Sequence, residues 1–330
     1  MIRQDSNLIC TGIDDGYVWP WMVSIFSARV HSKRKLSVGL GVIAGQFSVA
    51  NRELIQQFCD LLDIELLYRE FEFNFVVQLD ERIPIQSYIR ILWMDTLDRE
   101  FLWLDSDTLC LEKWDRILDY REKNDERSVI SAVSDRHINR RGLINSPDNK
   151  AFQVASGSYF NDGVFLADPV RWQELGFPKI WKELAENHAE FGFTHHNQDI
   201  LNFLLCDKKK LIGSSYNCIV SAPSEIGQRI LHFAGGPKPW HLDSKSKRYF
   251  CAIETLKASN DSSGAFSGKN WIFEFENYWR HEDSLIEELE NSAELKTIAL
   301  ALKDSMRQPI RNNRDNIKLS ILLFLGKKWL

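Results

Sequence analysis

Two aspartates separated by one residue follow a short apolar stretch. Asp105 and Asp107 come directly after Phe101–Leu104, a run that is typical of a buried strand. Ligands of open α/β sheets bind outside the carboxyl ends of the strands, so we expect both carboxylates at a ligand site. Their oxygens suit Mg²⁺ or Mn²⁺, and such a cation would offset the repulsion between two acids and a bound diphosphate. Taken alone, the pair is also compatible with a strand end followed by a helix cap.

A second candidate segment, from His232 to Trp240, combines an imidazole, two glycines and a lysine. A predicted strand ends near His232, and Gly235 with its neighbour lets the backbone approach a ligand closely. Backbone N–H groups in such a turn can cradle phosphate, and Lys238 adds a positive charge. Mn²⁺ accepts an imidazole nitrogen beside carboxylate oxygens, so we interpret His232 as a third metal ligand. The alternative is a histidine with ordinary partners beside a turn, and a surface lysine.

A run of alternating strands and helices is predicted to position these residues. Strands are predicted over residues 7–13, 36–43, 64–68, 101–104, 128–134, 159–167 and 229–232. Helices are predicted over 18–29, 85–96 and 198–206, with another from Ser48, a favourable N-cap residue. This alternation predicts an α/β fold in which helices cover the sheet. We expect a main domain over 1–256, a linker rich in Ser, Asp, Asn and Gly over 257–269, and a helical extension over 270–330 with a helix at 284–303.

Composition narrows the class of protein. The chain has 330 residues, of which 44% are hydrophobic, and a net charge of -5, so it can bury a proper core. It lacks the overall basic field expected of a nucleic-acid binder. No signal peptide and no apolar run of about 18 residues is visible, so we expect a cytoplasmic protein. The six cysteines form no CxxC pair, which predicts reduced thiols rather than a zinc cluster, and most of the 11 tryptophans are expected in the core.

Five segments resemble motifs of glycosyltransferase family 8 and occur in the order in which that family has them. Asp105-Ser106-Asp107 resembles its DxD motif, and the segment from His232 to Trp240 resembles its long HFxGxxKPW signature. The other three matches are Phe160–Leu166, similar to the FNxGVxLxN strand, Asn197–Asn202, similar to the DQDILN helix start, and Ile13–Val18, similar to the first strand and uridine loop. The resemblance covers about residues 7–245. It implies a GT-A type, Rossmann-like sheet covered by helices, with a small helical C-terminal extension.

The same resemblance implies an activity and a set of site residues. The family retains the configuration of the transferred sugar and includes bacterial lipopolysaccharide galactosyl- and glucosyltransferases and the glycogenins. We therefore expect transfer of glucose or galactose from a UDP-sugar to a hydroxyl of a glycan or glycolipid acceptor, with Mn²⁺ or Mg²⁺ as cofactor. Asp105, Asp107 and His232 would hold the metal. The expected donor-binding residues are Gly12, Asp14 and Tyr17 around uracil and ribose, Arg90, Asp135, Asn161 and Asn197 at the sugar or phosphate, and Ser106, Gly235 and Lys238 at the pyrophosphate side.

The residue implied beneath the anomeric carbon is Gln198, whose amide is a poor nucleophile. We therefore expect front-face attack by the acceptor through a short-lived ion pair, with Asp199 or Asp162 as a covalent nucleophile in the alternative mechanism. Two departures from the family pattern bear on the sugar. Asn197 stands where the family usually has Asp, and Asp162 is unusual within its strand, so hydroxyl recognition is expected to differ. A third departure, Gly16, removes one ribose contact.

The C-terminal residues 306–330 carry a separate hypothesis. This segment contains six basic residues and one acid, interleaved with apolar residues and Trp329. Such a composition suits shallow docking on an anionic membrane surface, on the inner face of the cell membrane. The alternative is a C-terminal helix whose apolar stripe packs on the core.

Two functions from other classes remain open at this point. A nucleotide-sugar binding protein without transfer activity would bind UDP without turnover, and the intact acid pair with His232 argues against it. A metal-dependent nucleotidyltransferase should carry a glycine-rich basic loop after the first strand. The loop here, Asp14–Tyr17, is acidic instead.

Overall fold

The computed structural model describes residues 7–73, 84–123, 128–135, 158–220, 227–235, 238–241 and 269–289, together with residues 297, 300 and 303. Its strands are β1 Asn7–Gly12, β2 Leu36–Ile43, β3 Glu65–Phe71, β4 Phe101–Leu104, β5 Thr108–Cys110, β6 Ile130–Ser134, β7 Phe160–Ala167, β8 Lys209–Ile212, β9 Cys218–Ile219 and β10 Ile230–His232. Its α-helices are α1 Val18–Val30, α2 Val49–Leu61, α3 Ile89–Thr96, α4 Pro169–Glu174, α5 Phe177–Glu186, α6 His196–Leu204 and α7 Lys269–Leu289.

The strands form one large mixed sheet and one small sheet. The seven-stranded sheet has the order β3-β2-β1-β4-β7-β6-β8, and the three-stranded sheet has the order β5-β10-β9. In the large sheet β1 pairs in parallel with β2 and β4, whereas β7 runs antiparallel to β4 and β6. All eight residues of both β2 and β7 are buried, so the two polar residues of β7, Asn161 and Asp162, are buried together with its apolar ones. This architecture is the predicted α/β fold.

The burial of the tryptophans confirms the expectation for them. Eight are fully buried: Trp19, Trp21, Trp93, Trp103, Trp114, Trp172, Trp181 and Trp240. Ser48 caps α2 as predicted, since its side chain accepts a hydrogen bond from the Asn51 N–H. A cap of this kind contributes about 1 kcal/mol. Ser48 also donates its hydroxyl to Asp15, and this contact ties the loop after β1 to the start of α2.

Several element boundaries differ from the sequence-based predictions. The predicted helix over 85–96 begins with a 3-10 turn, Ile85–Tyr88, before α3. Helix α6 begins two residues before the predicted start because Asp199 accepts hydrogen bonds from the N–H groups of Thr194 and His195 and fixes its first turn. Elements β5, β8, β9, α4 and α5 were not predicted. The strands among them are short, and α4 nevertheless carries a start signal, the N-cap residue Asp168 followed by proline.

The chain divides into two compact units. The first comprises Met1–Cys218 and Ser224–His232, and the second comprises Ile219–Pro223 and Phe233–Leu330. Within the second unit, the Trp279 indole donates to the Pro239 carbonyl, and Lys303 forms an ion pair with Glu282 at 2.9 Å. Helix α7 begins earlier than the helix predicted at 284–303, and residues 297, 300 and 303 are helical. Linker residues 257–268 and the tail 306–330 lie outside the described residues, so the three-part domain division stays a prediction.

Two further features concern membrane spans and cysteines. In the described part of the chain, no helix is both long enough and apolar enough to cross a membrane. Five of the cysteines, Cys10, Cys59, Cys110, Cys206 and Cys218, are described, and all five are free thiols.

Candidate functional site

The acid pair occupies a tight turn at the carboxyl end of β4, as the sequence predicted. The Asp105 N–H donates to the Gly163 carbonyl of β7 at 2.8 Å, so the turn is anchored to the neighbouring strand. The Thr108 side chain and N–H both donate to the Asp105 carbonyl, at 2.7 and 3.2 Å. Backbone bonds on both sides therefore hold the two carboxylates in place, while 20% of the Asp105 side chain and 13% of the Asp107 side chain stay exposed.

Strand pairing brings His232 to this turn. Strand β5 starts immediately after the acid pair, and β10 pairs with it in antiparallel register so that His232 lies opposite Thr108. The His232 Nε2 atom lies 3.7 Å from Asp105 Oδ2 and 3.3 Å from Asp107 Oδ1. His232, which is remote in sequence, therefore meets the acid pair at one point, as the metal hypothesis requires.

The three side chains fit a divalent cation. One ligand atom from each of Asp105, Asp107 and His232 lies within 4.8 Å of the other two. Two carboxylates and one imidazole form a donor set that suits Mn²⁺. Gly163 makes room for the ring, because an added Cβ would lie 2.1 Å from His232 Cε1. The imidazole therefore packs directly against the backbone of β7 at Gly163.

Arg90, on α3, compensates the charge of two acids, the half-buried Asp105 and the buried Asp162. Its Nη2 atom donates to Asp105 at 2.8 Å, and its Nη1 atom pairs with the Asp162 carboxylate at 2.6 Å. The Trp103 indole also donates to Asp105, at 2.8 Å. Burial raises the pKa values of Asp105 and Asp162, and the Arg90 charge opposes that rise in both. Arg90 is therefore a buried, paired charge rather than a solvated helix residue.

A buried polar network connects β7 with α6. The Gln198 amide oxygen accepts hydrogen bonds from the Asn161 side chain at 3.1 Å and from the Asp162 N–H at 3.2 Å. The Asn161 amide also lies 3.4 Å from an Asp135 carboxylate oxygen. Asp162 accepts from the Asn197 amide at 2.5 Å. The residues that departed from the family pattern, Asp162 and Asn197, are thus direct partners.

Asp199 is connected to the same network through the Tyr159 hydroxyl. One carboxylate oxygen accepts from the Tyr159 hydroxyl at 2.5 Å, and the other accepts from the N–H groups of Thr194 and His195, both at 2.7 Å. Gln198 in turn donates to the Tyr159 oxygen at 3.1 Å. Both oxygens of Asp199 are therefore occupied by donors within the fold.

A cleft of about 210 Å³ opens in front of the acid pair. The predicted donor-binding residues that line it are Gly12, Asp14, Tyr17, Arg90 and Ser106, alongside Asp105 and Asp107. The Asp14 Oδ1 atom is buried and has no hydrogen-bond partner among the described residues. Burial raises the pKa of Asp14, and burial together with the Asp107 and Asp14 charges raises the pKa of Tyr17. A buried acceptor without a partner is costly, so Asp14 is suited to a ligand that brings an N–H or O–H donor.

Two predicted donor-binding residues, Gly235 and Lys238, belong to the second unit. There the Lys238 ammonium donates to the Phe233 carbonyl at 2.6 Å, and Gly235 has a φ of 78°. Their roles at a pyrophosphate stay predictions. Gly236 and Pro237 lie outside the described residues.

The sequence did not single out three residues that shape the site. The sequence places Trp103 in a buried strand and Tyr159 at the start of another strand, and it gives no role to Asn217. Asn217 contacts His232 Nδ1 through its side-chain oxygen at 2.9 Å. Neither composition nor spacing marks these positions, because their partners are remote in sequence.

Comparisons with known proteins agree with this arrangement. The profile of glycosyl transferase family 8 matches residues 8–244. The lipopolysaccharide 1,2-glucosyltransferase of Escherichia coli is 24% identical over 250 residues, which cover 70% of this chain and 72% of that protein. The lipopolysaccharide 1,3-galactosyltransferase of Salmonella typhimurium is 24% identical over 265 residues, which cover 72% of this chain and 74% of that protein.

A solved structure supports the fold. The galactosyltransferase LgtC, in complex with donor and acceptor sugar analogues, superposes with a TM-score of 0.56 at 20% identity, covering 78% of this chain and 96% of LgtC. The family profile spans most of the chain, including the acid pair, His232 and the Gln198 network. The chain therefore belongs to glycosyl transferase family 8 and is a glycosyltransferase.

Proposed function

We propose that this enzyme transfers glucose or galactose from a UDP-sugar to a hydroxyl of a bacterial lipopolysaccharide or another surface glycan, with Mn²⁺ or Mg²⁺ as cofactor. The observation that carries the proposal is the convergence of Asp105, Asp107 and His232 beside the cleft that Asp14 and Tyr17 line. The activities of the two similar lipopolysaccharide transferases support the hexose and the acceptor class.

The chemistry of Asp14 favours uracil as the base. Its buried Oδ1 atom needs a donor, and uracil carries an N–H at ring position 3, where cytosine carries only an acceptor. Tyr17 lies in the same cleft and offers a ring face beside the base and ribose. This pairing supports a uridine nucleotide rather than a cytidine nucleotide as the donor carrier.

Departure of the nucleotide creates negative charge on the diphosphate, and this is where transition-state stabilisation has the largest effect. Asp105, Asp107 and His232 would hold a divalent cation that supplies positive charge at that point. Arg90 places a second fixed positive charge in the wall of the same cleft. Since it is already oriented by Asp105 and Asp162, it needs little reorganisation during the reaction.

The hydrogen bonds of the candidate nucleophiles support front-face attack. Both oxygens of Asp199 accept hydrogen bonds within the fold. The two oxygens of Asp162 are engaged by Arg90 and Asn197. Neither carboxylate is available to form a glycosyl–enzyme bond without breaking those contacts, and Gln198 offers only an amide. In the proposed mechanism the acceptor hydroxyl therefore attacks from the side of the departing diphosphate.

UDP release from UDP-glucose, UDP-galactose and related donors, with and without Mn²⁺, tests the proposal. We expect slow, metal-dependent hydrolysis of one donor in the absence of acceptor. Tight UDP binding without release from any donor, even with lipopolysaccharide added, would favour the binding-protein alternative. Release of pyrophosphate instead of UDP would favour a nucleotidyltransferase.

Substitution Asp14→Asn tests the base assignment. The amide retains an acceptor oxygen but loses the negative charge, and a hydrogen bond to a charged group is worth about 1.5–3 kcal/mol. We expect UDP affinity to fall by about tenfold or more, while CDP affinity changes little. Calorimetric titration of both nucleotides in the presence of Mn²⁺ measures the difference. An equal loss for UDP and CDP would show that Asp14 does not read the base.

We also propose that residues 306–330 attach the enzyme to the cytoplasmic face of the membrane. The basic and apolar composition of this segment supports the proposal. Truncation at Gln308 is expected to abolish sedimentation with vesicles containing anionic lipid while leaving donor hydrolysis unchanged. Sedimentation of the truncated chain at the wild-type level would remove this role from the tail.

A further inference from the structure

A chain of buried amide groups leads from the backbone of β7 to the imidazole of His232. The Gly163 N–H donates to Asn161 Oδ1 at 3.0 Å, and the Asn217 amide nitrogen donates to the same oxygen at 2.9 Å. Asn217 Oδ1 lies 2.9 Å from His232 Nδ1. Asn161, Asn217 and His232 are 8%, 5% and 3% exposed, so bulk water does not compete for these bonds.

The direction of this chain follows from the backbone. A peptide N–H can only donate, so the Asn161 atom that faces the Gly163 N–H must be the amide oxygen. Asn217 must then present its nitrogen to that oxygen, because two oxygens in contact would repel. The remaining end of the Asn217 amide, its oxygen, faces His232 Nδ1. An oxygen at this position requires a hydrogen on Nδ1.

The position of the Asn161 amide nitrogen is fixed by partners of its own. Its nitrogen donates to Gln198 Oε1, and that oxygen is independently identified by the Asp162 N–H that donates to it at 3.2 Å. An Asp135 carboxylate oxygen, also an acceptor, lies 3.4 Å from the Asn161 nitrogen. Reversing the Asn161 amide would therefore break contacts on both sides at once. The orientation rests on several partners rather than on one assignment.

We propose that Asn217, held by Asn161, is a positioning residue that fixes the tautomer of His232. With hydrogen on Nδ1, the lone pair is on Nε2, the atom that faces Asp105 and Asp107 at 3.7 and 3.3 Å. Neutral imidazole binds a metal through the unprotonated nitrogen, and a partner on the other nitrogen selects which one that is. The inference rests on the proposed function only for its importance to catalysis, because the hydrogen on Nδ1 follows from the orientation of Asn217 alone.

Nitrogen NMR of the metal-free, ¹⁵N-histidine-labelled protein tests the proposal directly. Spectra are recorded near pH 8, where an ordinary histidine is neutral, and the His232 signals are assigned by their absence in His232→Gln. We expect hydrogen on Nδ1; because Asp105 and Asp107 face Nε2, a second hydrogen on Nε2 in the metal-free protein is compatible with this result. A ring with hydrogen on Nε2 alone, or a mixture of the two neutral tautomers, in the wild-type protein would overturn the proposal without any further variant.

Substitution Asn217→Leu extends the test to metal binding. Leucine keeps the branching at Cγ but removes both hydrogen bonds, so we expect a mixed tautomer and a Mn²⁺ affinity lower by about 10–100-fold, the usual cost of losing a partner of a metal-bound histidine. The affinity is measured by paramagnetic resonance of free Mn²⁺. Unchanged affinity in Asn217→Leu would refute the positioning role.

Asn202 offers a matched control. It is fully buried, and its amide bonds the Phe160 N–H and carbonyl and the Gln198 carbonyl, without contact to His232. Asn202→Leu loses buried amide bonds of the same kind, so a comparable loss of stability is expected with the His232 tautomer retained. A mixed tautomer in both variants would attribute the effect to general loosening and would also refute the proposal. A confirmed tautomer in a protein that releases no UDP would reject the transfer activity and leave this inference in place.

Discussion

Asp107→Asn is expected to lower metal-dependent UDP release by about 100-fold or more while the protein stays folded. The Asp107 Oδ1 atom lies 3.3 Å from His232 Nε2 in the three-residue cluster, so the substitution removes one charged ligand. Asp105 differs, because it also holds Arg90 and Trp103. Asp105→Asn should therefore reduce both activity and thermal stability, since it leaves Arg90 with less compensating charge.

Parallel titrations of activity and of free Mn²⁺ measure this difference. An exposed acid remote from the cluster, as in Asp207→Asn, serves as control and should match the wild type in both. Full activity of Asp107→Asn, or undiminished turnover after treatment with a chelator, would contradict a metal-assisted reaction.

Gly163→Ala is expected to abolish detectable activity although it adds a single methyl group. The added Cβ would lie 2.1 Å from Cε1, 2.7 Å from Nδ1 and 2.9 Å from Nε2 of His232. These distances are far shorter than van der Waals contact, so the imidazole must move away from the acid pair. We expect a loss of at least about 100-fold in activity, with an overpacking cost of about 1–3 kcal/mol in stability.

A second glycine separates the steric effect from a general effect of alanine. An added Cβ at Gly213 would meet nothing closer than the Ser215 hydroxyl oxygen at 3.9 Å. Gly213→Ala should therefore keep wild-type activity and Mn²⁺ affinity. Gly163→Ala with normal Mn²⁺ affinity would show that His232 is not a ligand, whatever the activity of the variant.

The fold gives one physical reason for two departures from the family motifs, Asp162 and Asn197, because their side chains contact each other. Along the sequence they are two unrelated deviations, 35 residues apart. In the fold the Asn197 amide donates to the Asp162 carboxylate, which also pairs with Arg90. A carboxylate at position 197 would face the Asp162 carboxylate directly, so an amide at 197 suits an acid at 162. With Asn at position 197, Asp162 keeps its ion pair with Arg90 without a further acid at that position.

The sequence by itself determined the α/β class, most strand positions and the identity of the metal-ligand candidates. Apolar runs such as Phe101–Leu104 must be buried wherever they occur, and the acids that end them are local features. The same holds for the N-cap at Ser48, whose partner lies three residues away. Signals of this kind are short-range, so the order of residues is sufficient to find them.

Only the tertiary structure decided which of these residues meet. The approach of His232 to Asp107 depends on the pairing of β10 with β5, a three-residue strand without a recognisable pattern. The place of Asn217 depends on Asn161 and His232, 56 and 15 residues away. Hydrogen bonds between remote side chains leave no periodicity in the sequence, because each partner is chosen by the packing of the sheet rather than by its neighbours along the chain.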